Sequence, residues 1–238
     1  MSKIKKADLI KTPKVEGQEE IQSNPIENFV KTEQYVRRNK IIIGMLAGVI
    51  IAVVVGYFIY NYLQTSQETK AQEQMFAAVR YLELGENKKA INGDGMYVGF
   101  ESIIKNYPLS KAANLAYFYS GLAHLKEKKF NEAIERLRKF SGNDWLVQAR
   151  SYCLMGDAYS ELNKFNEAAT YYEKAANYNP NKHFTPIYLK KLGLAYEKIN
   201  KNQEALKVYA QIIKEYPNTS EYFDAKKYQA RLETLLEK

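Results

Sequence analysis

The sequence predicts an all-α protein: a single N-terminal transmembrane helix followed by an α-solenoid of paired helices with a C-terminal capping helix. Three observations lead there. The run IIIGMLAGVIIAVVVGYFIY, Ile41 to Tyr60, carries no charged residue, and a helix rising about 1.5 Å per residue needs about 20 apolar residues to cross a hydrocarbon core of roughly 30 Å. Further on, the segments KKFNEAIERL (128–137), NKFNEAATYY (163–172) and NKNQEALKVY (200–209) align without gaps. Finally, the stretch from Ser220 through Lys238 sets Tyr222, Ala225, Tyr228 and Leu232 on one side and charges elsewhere, as a helix closing a stack requires.

Residues 1–40 read as a cytoplasmic tail, mostly disordered, because charges, Gln, Gly17 and Pro13 outnumber apolar groups. Within it Asn24-Pro25-Ile26-Glu27 offers a helix start, with Asn24 capping and Pro25 at the first helical position. The tail holds nine cations (Lys3, Lys5, Lys6, Lys11, Lys14, Lys31, Arg37, Arg38, Lys40) against six acids. After Tyr60 the next charges are Glu68 and Lys70, so the positive-inside rule places the tail in the cytoplasm and the body outside. Tyr57, Phe58, Tyr60 and Tyr62 suit an aromatic belt at the outer interface. An uncleaved anchor over 41–63 is preferred to a signal peptide, because the apolar core is long and NYLQTSQ lacks an A-x-A-type site. Gly44, Gly48, Ala52 and Gly56 recur every fourth residue and form one smooth stripe for close helix contact, with a second copy of the chain (a homodimer) or with another membrane protein.

Residues 64–112 read as a helical stalk and a degenerate first unit. TSQETKAQEQMFAAVRYLELG places Ala71, Met75, Ala78 and Leu82 on one helical face, until Gly85 and the breakers Asn92, Gly93, Asp94 and Gly95. Gly99 to Ile104 followed by Tyr107-Pro108 then matches the later ending Ile212 to Tyr216-Pro217.

Residues 113–219 hold three regular units. Each first helix carries a glycine (Gly121, Gly156, Gly193) in YFYSGLAH, YCLMGDAY and LKKLGLAY. Four residues before it stands Tyr117, Tyr152 or Leu189; twelve after it Ala133, Ala168 or Ala205; sixteen after it Leu137, Tyr172 or Tyr209. Pro180 and Pro217 end second helices, where a missing N–H makes continuation costly. This pattern resembles the tetratricopeptide repeat, W-x2-L-G-x2-Y, A-x3-F, P at about 34 residues. It departs from that pattern at Trp145, which stands where a proline is expected, and at the insertion Lys182 to Thr185. Residues 220–238 are the capping helix.

Nothing in the composition points to catalysis. The 238 residues carry a formal charge of +8 without a Lys/Arg block of the kind that tracks nucleic acid, so no nucleic-acid partner is expected. The single cysteine, Cys153, excludes an internal disulfide and reads as a buried, inert thiol. His124 occupies a repeat position that holds Tyr159 and Tyr196 elsewhere, so it reads as a seam residue, and His183 stands alone in a loop. No metal spacing, phosphate loop or nucleophile motif appears; no catalytic, metal or cofactor-binding residue is assigned, and no enzyme activity is expected. Acid clusters such as Glu132 to Glu135 read as solvated helix faces.

A repeat stack instead offers an inner surface that binds chains. The inward positions are Leu115, Phe118, Leu122 and Leu125 in the first unit, Arg150, Cys153, Asp157 and Ser160 in the second, and Ile187, Lys190, Leu194 and Glu197 in the third. The protein-binding candidates are thus Leu115, Phe118, Leu122, Leu125, Arg150, Asp157, Lys190 and Leu194. The apolar quartet either lines a groove for extended or amphipathic segments or is buried as core under the stalk. A short tail, one span and a small exported repeat domain resemble the ancillary subunit of the bacterial SecYEG translocon. That resemblance implies an inner-membrane protein with a periplasmic body, assisting export or folding, with translocon subunits, chaperones or client polypeptides as partners. The alternatives are a structural scaffold of an envelope complex that handles no clients and, against the charge-rich tail, a mitochondrial import receptor facing the cytosol.

Overall fold

A computed structural model describes residues 35–142 and 144–237. The expectations of a disordered N-terminal region and of a helix start at Asn24 fall outside the described residues. The chain divides into two compact units, the second beginning at Ile59. Among the described residues the regular elements are helices: α1 (Lys40–Glu83), α2 (Asn87–Asn92), α3 (Phe100–Asn106), α4 (Lys111–Lys126), α5 (Phe130–Lys139), α6 (Trp145–Glu161), α7 (Phe165–Asn177), α8 (Thr185–Lys198), α9 (Asn202–Glu215) and α10 (Ser220–Leu236). The fold class is therefore the expected all-α solenoid of helix pairs.

In the first unit, the apolar part of α1 is long and apolar enough to cross a membrane, and none of its apolar window is buried. A side chain built at Gly44, Gly48 or Gly56 would meet nothing within 4 Å.

The second unit is built from the helix pairs α4/α5, α6/α7 and α8/α9, each pair packing in turn on the next. Its internal logic is visible at the glycines. A Cβ at Gly121 would lie 2.5 Å from Cγ of Leu137, and one at Gly156 2.6 Å from the Tyr172 ring; at Gly193 it would collide with the Tyr209 ring. The large side chain sixteen residues on thus fills the space that the glycine leaves, which brings the paired helices together.

The turns between paired helices share one device that the repeat pattern did not announce. Lys128, Asn163 and Asn200 have φ of 59°, 57° and 59°, the left-handed conformation of a helix C-terminal cap. At each turn the next residue closes back five positions, Lys129 N–H to His124 O, Lys164 N–H to Tyr159 O and Lys201 N–H to Tyr196 O, all 2.9 Å. Asparagine tolerates this conformation, whereas Lys128 holds it with an ordinary side chain.

Toward the start of the second unit, Ala71, Met75, Ala78 and Leu82 of α1 share one buried cluster with Phe100 and Ile103 of α3 and Ala112, Ala113 and Ala116 of α4. Polar contacts fix the same edge. Glu68 accepts from the backbone N–H groups of Lys111 (2.5 Å) and Ala112 (3.2 Å), and Ser110 accepts from Ala113 N–H (2.9 Å), so the α4 N-terminus is capped from two sides. The short helix α2 lies within the segment read as stalk and breakers. At the insertion before α8, Asn181 accepts from the N–H groups of His183 and Phe184 and donates its own N–H to Thr185 Oγ1. The insertion is therefore an ordered side-chain turn that leads into the helix. At the far end, α10 buries Ala225 and Leu232 and leaves Lys226, Lys227 and Ala230 exposed.

Candidate protein-interaction face

The first helices of the three pairs, α4, α6 and α8, carry the expected binding positions. In α4, Phe118 is only 5% exposed and belongs to a core cluster with Leu137, Phe140, Leu154 and Met155. Its ring lies 5.6 Å from Phe140 and 5.4 Å from Tyr119. Leu115, Leu122 and Leu125 are half-buried and pack against the same cluster. Of the two readings of this quartet, Phe118 fits the core one, since α6 and the chain at Phe140 pack against it and leave it no face for a ligand, while the three leucines keep part of their surface open.

In α6, Arg150 is exposed, while Asp157 is engaged twice inside the molecule. The Tyr172 hydroxyl donates to it at 2.8 Å, and Lys191 of α8 bridges both its oxygens at 2.6 and 2.8 Å. Cys153 is buried, and burial first, with the Asp157 charge second, pushes its thiol up to about 12. In α8, Lys190 donates to Asp224 (2.9 Å) and Glu221 (3.4 Å) of α10. Glu197 accepts from the Tyr209 hydroxyl at 2.7 Å and pairs with Arg231 of α10. The inward charges of the second and third pairs are thus largely spent on tying one repeat to the next. Leu194, 37% exposed, remains open beside Ser160, Phe165 and Lys198 in a cleft of about 260 Å³.

One polar centre escaped the sequence reading. Glu101 of α3 accepts from Ser120 Oγ (2.6 Å) and, through both oxygens, from Arg136 Nε and Nη2 (each 2.9 Å), with His124 Nε2 at 3.7 Å. Burial opposes ionisation of Glu101, but His124, Arg136 and Ser120 together outweigh it and hold the carboxyl at about 2. The acid of the degenerate unit thereby reaches both helices of the first regular pair. Sequence spacing carries no signal for it, since Glu101 and Arg136 lie 35 residues apart. His124 is buried, as a seam residue should be, and its Nδ1 has no hydrogen-bond partner. Among the described residues, no group of three or more His, Cys, Asp or Glu side chains could hold a metal ion.

Comparison with known proteins agrees with this architecture. Tetratricopeptide-repeat family models match residues 111–178 and 191–219. An uncharacterised protein, ycf37, of Guillardia theta is 31% identical over 122 residues, covering 49% of this chain and 65% of that relative, so the chain spans just under two thirds of its length. Among solved structures, the MamA protein superposes with a TM-score of 0.53 at 19% identity, covering 70% of this chain and 88% of that one. A Podosopora anserina putative kinesin light chain with nearly identical TPR-like repeats gives 0.53 at 15% identity, covering 69% and 86%. At these identities the structural likeness establishes the fold alone. Residues 111–178 and 191–219 thus carry tetratricopeptide repeats, and repeats of this kind imply protein partners in general.

Proposed function

We propose that this chain of tetratricopeptide repeats is a membrane-tethered interaction module of the bacterial inner membrane, with its N-terminus cytoplasmic and its repeats periplasmic, acting at the protein-export machinery. The observation that carries the tether is the apolar part of α1, of membrane-spanning length and with none of its apolar window buried. A run of Ile, Val and Leu left in water would be an aggregation liability, and a bilayer resolves it. The nine cations before Ile41 support the orientation. A role beside the Sec translocon rests on the likeness of architecture to its ancillary subunit.

Within that role, the inner face favours joining defined proteins over collecting unfolded chains. Phe118 is packed away, and Asp157, Lys190 and Glu197 are engaged internally. The scaffold alternative is favoured on that observation. Two measurements test the proposal. Protease added to intact spheroplasts should digest the repeats and spare the tail; digestion only after lysis refutes the orientation. Affinity capture from gently solubilised membranes should recover translocon or chaperone subunits; recovery of neither removes the export role.

A further inference from the structure

The α5 to α7 segment carries a recess of about 410 Å³ whose lining includes three cations, Arg138, Lys139 and Lys164, and one acid, Glu135. The acid is already engaged, holding Arg136 at 2.8 Å and Lys139 at 3.1 Å. Arg138 is treated differently. Its guanidinium donates to the Tyr159 hydroxyl at 3.0 Å, a neutral partner that fixes its direction without cancelling its charge. Tyr159 is itself fixed by stacking on Tyr171, ring centroids 5.3 Å apart and 14° from parallel. Lys164, on the turn before α7, is exposed and forms no ion pair among the described residues. The recess thus presents an oriented guanidinium fork, a second exposed cation and the half-exposed ring of Tyr159, with Ile134 buried beneath it.

We propose that this recess is a docking site for an acidic segment of a partner protein, one whose carboxylates alternate with apolar side chains. The proposal rests on the reading of the chain as a protein-binding module, and it names the chemistry of one partner. A guanidinium held in place binds carboxylate through two parallel hydrogen bonds at little further entropic cost. The half-exposed Tyr159 ring receives the apolar side chains between the acids. Cations that line a recess, on the α5 wall and on the turn before α7, embrace a chain; a bilayer surface is met by cations on a protruding face.

The test titrates a fluorescein-labelled peptide of glutamate pairs alternating with leucine onto the full-length protein in zwitterionic detergent. Binding should fall at about 0.5 M salt, where screening shortens the reach of charges to a few ångströms. It should also weaken about tenfold or more when Arg138→Ala and Lys164→Ala are combined, a loss of one charge-assisted pair or more. Lys226→Ala with Lys227→Ala, on the exposed side of α10, should leave it unchanged. Peptide binding indifferent to the Arg138/Lys164 pair overturns the proposal. So does binding of phosphatidylglycerol vesicles through those two residues with no binding of the peptide. Affinity capture separates this from the wider reading: partners captured without peptide binding remove the recess alone, while peptide binding without captured partners supports the recess and counts against the module.

Discussion

Gly193→Ala is the substitution that most directly probes how the repeats hold together. A methyl group at this position would collide with the Tyr209 ring, with Cζ only 2.7 Å and Cδ1 3.1 Å away. Ordinary contact needs the nearest edge of the ring to retreat by about 1 Å or more. Tyr209 cannot easily comply: it is fully buried, its hydroxyl donates to Glu197 at 2.7 Å, and its ring lies 5.4 Å from that of Tyr228. Overpacking of this kind costs about 1–3 kcal/mol, and straining the hydrogen bond to a charged acceptor adds roughly 1 kcal/mol. The higher helix propensity of alanine returns about 1 kcal/mol. The net expectation is a loss of about 2 kcal/mol, or roughly 4–8 °C in Tm for a domain of this size, read by thermal or urea unfolding of the full-length protein. Ala230 supplies the contrast. It lies as far beyond Pro217 as Gly121 lies beyond Pro108, but it is exposed. Ala230→Gly should therefore lose only the propensity difference, about 1 kcal/mol. A Gly193→Ala protein that melts higher than the parent would refute the argument from close approach.

Three further outcomes are expected. Because the Glu101 carboxyl is held at about 2 against an ordinary 4.5, its contribution is complete above about pH 4.5 and is lost as pH falls toward 2; this amounts to about 3 kcal/mol, and Glu101→Gln should flatten that limb of a stability-against-pH curve. A curve that keeps its acid limb in the variant would assign it elsewhere. Lys128→Asn should raise stability by about 1 kcal/mol, since asparagine tolerates the left-handed turn better than lysine does; a lower urea midpoint would count against the turn geometry. The Cys153 thiol, pushed up to about 12 by burial, should resist a disulfide reagent at pH 8 in the folded protein and react at once in urea; fast reaction of the native protein would contradict its burial.

Much of the architecture was legible because repeats convert packing into spacing. Gly121, Gly156 and Gly193, each answered sixteen residues later by Leu137, Tyr172 or Tyr209, state a helix contact in plain sequence. The Ala71, Met75, Ala78, Leu82 stripe likewise marks the one face of α1 that the second unit buries. What stayed hidden depends on partners that no local pattern names. Phe118 was readable as inward, but whether inward meant groove or core turned on Phe140, the residue directly after α5. Asp157 and Lys190 were readable as inward charges, but their engagement with Lys191 and with α10 arises only when helices 30 or more residues apart are brought side by side. The left-handed Lys128 was hidden for the opposite reason: lysine is a poor marker of a conformation that the neighbouring turns advertise with asparagine.

A stack of like units grows in principle without limit, since the edge of the last unit repeats the edge that received it. The last described helix, α10, offers a different edge. The helix α10 accepts the preceding pair through Ala225 and Leu232, and ties itself down through the Lys190 and Arg231 ion pairs. Its open side bears Lys226 and Lys227, with Ala230 where the regular units place their contact glycine. A second molecule arriving with its own repeats would have to strip water from two lysines to continue the series, and would find no glycine gap to enter. Heterologous end-to-end contacts of that kind propagate into fibres when they do not close into rings. An edge of this kind makes the open face of α10 a poor template for a second copy of the stack, so contacts of that sort are disfavoured at this helix.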